Sequence, residues 1–225
     1  MFKRRALPAL LVMVVLLGLT GVAHAAPING TNASEELQGT LQDDQMRGFG
    51  GDDLMWGGIR GVVVDNDGND LIEGDEGNDF LLGQSGNDSL FGGLGDDRVW
   101  GHEGNDFMRG GEGHDTILGF GGNDSLGGGP GNDHMVGDWG DDVVGLTGTS
   151  GQDWLEGNTG NDTIVATGDQ PTVLERDRVY CGLGNDTANL TLGPWYMLYA
   201  SDYLVDSSGA PTSAAGAGCE NVIWQ

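Results

Sequence analysis

From residue 65 to residue 145 the chain is nine consecutive nonapeptides without insertion or deletion. Each approximates G-x-x-G-N-D-x-U-x, with U apolar. Place six is always Asp: Asp70, Asp79, Asp88, Asp97, Asp106, Asp115, Asp124, Asp133 and Asp142. Place four is always Gly, and place eight is always apolar, from Ile72 and Leu81 to Val144. A fixed period of this length marks a repeat architecture, in which each unit buries its apolar face only by stacking on its neighbours. Any fold for this chain has to satisfy that period first.

The period selects strands over helices. Gly recurs every few residues, at a cost near 1 kcal/mol each in a helix interior, and no apolar pattern of helical spacing is sustained. What is left is a three-residue strand at places seven to nine and a six-residue turn. Alternate side chains of a strand face opposite ways, so place eight points inward and places seven and nine outward. Two nonapeptides then make one full turn, with a strand on each side. The expected fold is an all-β solenoid of two stacked parallel sheets. Its core is one file of Ile, Leu, Val and Met per sheet, too thin to hold the fold alone.

The register decays toward both ends. Residues 48–56 keep Gly51, Asp53 and Met55 in phase; residues 39–47 keep Asp44 and Met46, and 30–38 only Glu35 and Leu37. Such decay is expected of capping repeats. Residues 57–64 are one residue short, lack Asp and read as a loop without a site. Downstream, 146–156 carries Asp153 with two extra residues, and 157–165 is regular with Asp162. Residues 166–180 are swollen around Gln170 and Pro171 and recover phase at Asp177, and 181–189 ends the pattern with Asp186. The chain divides into a leader at 1–25, degenerate caps at 26–47, the roll at 48–189 and a carboxyl-terminal cap at 190–225. In that cap, Pro194, Trp195 and Tyr196 are expected to plug the open end and hide its strand edges.

Charge narrows the partners. The formal net charge is −26, and beyond residue 25 six Arg face 35 acids, giving −29. This balance repels nucleic acid and anionic membranes and opposes compaction unless counter-ions are supplied. Lys3, Arg4 and Arg5, the apolar run 6–19 and Ala23-His24-Ala25 read as a secretory signal peptide cut before Ala26. The run is too short to span a bilayer, so the expectation is a secreted, extracellular protein with no membrane span after cleavage. Outside the cell Cys181 and Cys219 permit a single intramolecular disulfide, with two buried free thiols as the alternative.

The repeated Asp carries the chemistry. Parallel strands lie about 4.8 Å apart, so carboxylates on one edge recur at that spacing every second repeat. Ca²⁺ binds oxygen at about 2.4 Å and could bridge successive turns, whereas Mg²⁺, at about 2.0–2.1 Å and strictly octahedral, fits such a ladder poorly. Glycines at places one and four let carbonyls converge on the ion. One edge is expected to pair Asp70, Asp88, Asp106, Asp124, Asp142 and Asp162 in succession. The other runs through Asp79, Asp97, Asp115, Asp133 and Asp153, with Asp53 pairing Asp70 across the short repeat. These twelve Asp are the candidate metal ligands, and several Ca²⁺ ions the expected cofactors.

The segments GGLGDDRVW (92–100), GGEGHDTIL (110–118) and GGPGNDHMV (128–136) resemble the RTX, or haemolysin-type, calcium-binding nonapeptide G-G-x-G-x-D-x-U-x. The resemblance covers residues 48–189. It implies a right-handed parallel β-roll whose ions are held by place-six carboxylates and carbonyls of the turn. Residues 177–187, followed later by Cys219, Glu220, Asn221 and Val222, also resemble the end of a secreted bacterial subset closed by a cystine. A cleavable leader and a cysteine pair depart from the members exported in one step without a leader. No appended toxin or hydrolase domain is expected, so the resemblance implies calcium binding and not lytic or proteolytic activity.

Other chemistries fit less well. The stretch 65–70 with Glu76 imitates an EF-hand loop, but Asp70 stands where that loop needs Gly and no flanking helices can form. His102, His114 and His134 occupy different places of the repeat and do not converge as zinc ligands would; they read as solvated loop residues. Ser89 and Ser125 belong to the turn without a G-x-S-x-G elbow, so no catalytic residues and no enzyme are expected. Place three has no Thr file, which removes ice binding. Trp56, Phe91, Trp100 and Trp139 read as cover for a narrow sheet. The alternative is a calcium-scaffolded adhesin that presents them to a cell-surface or glycan ligand.

Overall fold

Strand pairing follows the two-repeat turn. The computed structural model describes residues 27–58, 68–145, 151–166, 177–190, 203–204 and 218–224. Alternate strands fall into alternate sheets, ten in one and nine in the other among the described residues. The pairs are parallel: Leu71, Ile72 and Glu73 lie opposite Ser89, Leu90 and Phe91, and Phe80 and Leu81 opposite Arg98 and Val99. No helix occurs among the described residues. This is the parallel β-roll that the period required.

The core is the expected file of place-eight side chains. Met46, Ile72, Leu90, Met108, Leu126, Val144 and Ile164 fill one sheet's inner face, and Met55, Leu81, Val99, Ile117, Met135, Leu155 and Val179 the other's; all are buried. Full burial of side chains this size stabilises by about 1.5–3 kcal/mol each. Only one such residue per rung is available to oppose the backbone entropy of nine.

The strands are longer than the pattern suggested. Leu71–Glu76 and Phe80–Ser85 run six residues, so places one to three join the strand and the turn shrinks to three residues. The cause lies at place two. Asp75, Gln84 and His102 sit at φ 74°, 83° and 82°, which swings the chain back into register once the place-one Gly has been passed. Pairing accordingly skips that Gly and resumes at Asp75 opposite Gly93 and Glu76 opposite Leu94.

Insertions are absorbed between rungs. Gln45 pairs Leu71 and Leu54 pairs Phe80, an offset of 26 residues where the regular roll uses 18. No rung intervenes between these pairs, and residues 59–67, which hold most of the short repeat, lie outside the described residues. This corrects one expected pair: Asp53 faces Asp79, and it is Asp44 that faces Asp70. Downstream the offset grows to 20 at Asp133 and Asp153, and to 24 at Asp153 and Asp177.

Pairing continues past the regular repeats at both ends. Ile28 and Asn29 pair Met46 and Arg47. At the other end Arg178–Leu183 pairs Tyr203–Leu204 in one sheet, and Asp186–Leu190 pairs Cys219–Trp224 in the other. A disulfide between Cys181 and Cys219, with Cα atoms 5.2 Å apart, therefore joins the two sheets near their last rungs. The expected leader, the swelling at Gln170 and Pro171, and the plug at Pro194, Trp195 and Tyr196 lie outside the described residues. Among the described residues no helix is long and apolar enough to cross a membrane.

Candidate metal sites

Each place-six Asp closes a turn and reaches back one rung. The N–H of Asp70 donates to Oδ1 of Asp88 at 2.7 Å, and the same bond links Asp88 to Asp106, Asp106 to Asp124, Asp124 to Asp142 and Asp142 to Asp162 at 2.8–2.9 Å. On the opposite edge it links Asp53 to Asp79, then Asp97, Asp115, Asp133 and Asp153, at 2.7–2.9 Å. The two edges are thus assembled from the expected residues, apart from the partner of Asp53. They also extend farther, to Asp186 beyond Asp162, to Asp177 beyond Asp153, and to Asp44 before Asp70. All of these Asp are 3% exposed or less. The phase of Asp44, Asp177 and Asp186 was visible in the sequence; insertions beside them concealed that they continue the files.

The second carboxylate oxygen defines the cradle. Oδ2 of Asp79, Asp97, Asp106, Asp115, Asp124, Asp133, Asp142 and Asp162 is buried and accepts no hydrogen bond. It faces the place-one Gly of its own repeat. A methyl group on Gly74 would lie 2.3 Å from Asp79 Oδ2 and 2.5 Å from the carbonyl oxygen of Gly92. The same holds at Gly92 for Asp97 and the Gly110 carbonyl, and at Gly119 for Asp124 and the Gly137 carbonyl, at 2.3–2.5 Å. Oxygens from successive rungs therefore converge on the volume that glycine leaves, with no donor among them.

Leaving a buried carboxylate oxygen unpaired is costly, and repetition multiplies that cost along the roll. A cation answers it. Among the described residues no three His, Cys, Asp or Glu side chains converge, so backbone carbonyls must complete any coordination shell. A set of carboxylate and carbonyl oxygens suits the hard, flexible coordination of Ca²⁺. The place-six Asp would hold the ions, which would supply the missing positive charge and tie each rung to the next.

Titration behaviour agrees with this reading. Burial pushes the carboxyl groups of Asp106 and Asp133 up to about 8, those of Asp97, Asp142 and Asp162 to about 7, and those of Asp53, Asp115 and Asp124 to about 6. The N–H from the adjoining rung opposes the rise in each case. Carboxylates on neighbouring rungs reinforce it at Asp97, Asp106, Asp133, Asp142 and Asp162. A fully ionised file therefore needs countercharge inside it.

A second ladder runs outside the first, at place five. The N–H of Asn87 donates to Asn69 Oδ1 at 2.6 Å, and the pattern repeats through Asn105, Asn123, Asp141, Asn161 and Asn185 at 2.7–3.0 Å. On the other edge His114 takes the same role, its Nδ1 accepting from Asn132 N–H at 2.9 Å. Sequence reasoning took place-five Asn as a residue tolerant of turns; its recurrence was the signal for a ladder. His102 is not a solvated loop residue either. It is half-buried, stacked on Phe120 with ring centroids 4.7 Å apart, and burial lowers its pKa. His134 is exposed, with Nε2 3.4 Å from Glu156. Trp100 packs edge-on against Phe80 at 4.6 Å, as cover for the sheet, whereas Trp139 stands out at 67% exposure.

No curated protein matches the chain. Six segments, residues 29–59, 62–90, 82–117, 100–135, 118–144 and 146–170, match the RTX calcium-binding nonapeptide repeat. They span most of both Asp files, and on that match the chain belongs to the RTX calcium-binding nonapeptide-repeat family.

Proposed function

We propose that the chain is a secreted, calcium-dependent structural or binding module, unfolded before export and folded by the ions it meets outside the cell. The observation that carries this reading is the repeated buried Oδ2 without a donor, paired with a formal charge of −29 beyond residue 25. Ion uptake and folding are then one event, as in other domains whose sites exist only when folded. The place-six Asp from Asp53 to Asp162 act as ligands, and the role is mechanical rather than catalytic. Export through residues 1–25 places the chain where calcium is abundant. Circular dichroism during calcium titration of the mature chain tests the reading. The β signal should grow cooperatively with calcium and vanish in chelator. A full β signal in chelator that calcium leaves unchanged sinks it.

One observation favours a second reading, a calcium-scaffolded adhesin or glycan-binding protein. Trp139 and Leu183 are 67% and 72% exposed on the same edge, with Thr159 on the rung between them. Binding to immobilised polysaccharides that Trp139→Ala abolishes without altering the fold would support it. No binding across a broad panel would remove it.

A further inference from the structure

The first two repeats of the roll differ from the regular ones in the backbone conformation at place two. In repeats beginning at Gly48, Gly74, Gly83, Gly92, Gly101, Gly110, Gly119, Gly128, Gly137 and Gly157, the place-two residue has a left-handed backbone. These residues are Phe49, Asp75, Gln84, Gly93, His102, Gly111, Phe120, Gly129, Asp138 and Asn158, with φ between 74° and 124°. None is β-branched. In repeats beginning at Gly30 and Gly39 the place-two residues are Thr31 and Thr40, and neither has a positive φ. β-Branched side chains avoid that region for steric reasons.

The consequence falls on the cradle. Where place two is left-handed, its N–H serves the sheet, as Gly111 does by donating to the Gly128 carbonyl at 2.8 Å. Where it is Thr, the N–H turns onto the carboxylate of its own repeat. Thr31 N–H donates to Glu35 Oε2 at 2.6 Å and Thr31 Oγ1 to Oε1 at 2.6 Å. Thr40 N–H and Oγ1 both donate to Asp44 Oδ2, at 2.6 and 2.9 Å. These acceptors, Glu35 Oε2 and Asp44 Oδ2, are the carboxylate oxygens that face the place-one glycines Gly30 and Gly39. In later repeats the equivalent oxygen of Asp79, Asp97 or Asp124 accepts nothing.

We propose that the residue at place two decides whether a cradle takes a cation. A left-handed place two leaves the cradle open to calcium. A Thr there fills it with two proton donors, so Glu35 and Asp44 bind no ion and the ion stack begins at Asp53. The cradle-facing oxygens of Glu35 and Asp44 are then satisfied from within, and these repeats offer a metal-free edge on which the first calcium-bearing turn can pair. Their divergence from the repeat is a change of chemistry, and it extends the calcium reading on which it rests.

Native mass spectrometry of the calcium-loaded chain tests the rule by counting ions. Thr40→Gly restores access to the left-handed region and should bind one ion more than wild type. Thr40→Val keeps the β-branch and should match wild type. An unchanged or lower count in Thr40→Gly overturns the proposal, as does a gain in Thr40→Val. A wild-type chain that binds no calcium fails at the earlier step, the calcium reading itself, and so is distinguished from failure of the place-two rule.

Discussion

Asp106 Oδ1 accepts the backbone N–H of Asp88 at 2.8 Å, while Asp106 Oδ2, also buried, accepts no hydrogen bond. One carboxylate thus does two separate things: it locks one rung to the next and it leaves a charged oxygen in the cradle.

Asp106→Asn separates the two. The amide can still accept the Asp88 N–H through its carbonyl oxygen, but it brings no charge to the cradle. Calcium affinity should fall by at least the roughly 10–100-fold that losing an outer-shell partner costs a metal site. The midpoint of a calcium titration followed by circular dichroism checks this, and a change under threefold would contradict the ligand role.

In chelator the chain should fold better in mild acid. The carboxyl groups of Asp106 and Asp133 are raised to about 8, and those of Asp97 and Asp142 to about 7, well above their unfolded value near 3.9. The folded state therefore holds more protons, so metal-free stability is greatest below pH 4 and is lost as pH rises through 7 to 8. Circular dichroism in chelator at pH 5.5 and pH 8.5 should show more β structure at the lower pH. Calcium uptake near pH 7 should in turn release protons, measurable in a weakly buffered solution.

Two alanine substitutions should fail differently. At Gly92 a methyl group meets Asp97 Oδ2 and the Gly110 carbonyl at 2.3 and 2.5 Å, so Gly92→Ala should lose one ion while the rest of the stack still loads. At Gly104, with φ at 138°, a methyl group falls 1.5 Å from the Gly86 carbonyl of the adjoining rung. Gly104→Ala should break stacking outright, costing at least the 1–3 kcal/mol of a strained backbone position. Ion counts and urea midpoints of the two variants distinguish the cases.

Reduction of the Cys181–Cys219 bridge, which spans 38 residues of sequence, should cost about 4 kcal/mol in the chain-entropy account. Cys219→Ser should accordingly lower the urea midpoint in saturating calcium. An unaltered midpoint would mean that the ion stack alone fixes the carboxyl-terminal rungs.

What the sequence displayed and what it hid follow from how each place acts. Places four, six and eight act through residue type, so Gly68, Asp70 and Ile72 announce themselves by repetition. Place two acts through backbone conformation, which Phe49, Gln84, His102 and Asn158 all supply despite sharing no chemistry. The left-handed bend was therefore invisible, and with it the six-residue strand. The partner of Asp53 was misjudged because nothing local says whether residues 57–64 form a rung; only the pairing of Leu54 with Phe80 decides it.

Cys181 occupies place one of the last repeat, a place held by Gly in eight of the nine regular repeats before it. The strand pair that follows slips register between Asp186 and Thr187. A roll of identical turns is a self-templating polymer, since each finished rung offers the next chain segment the edge it needs. At Cys181 that growth rule is broken by a covalent cross-link and a change of step. The cystine and the shifted step thus act as punctuation: beyond Cys181 the strands still pair, but the added rung no longer copies the one before it.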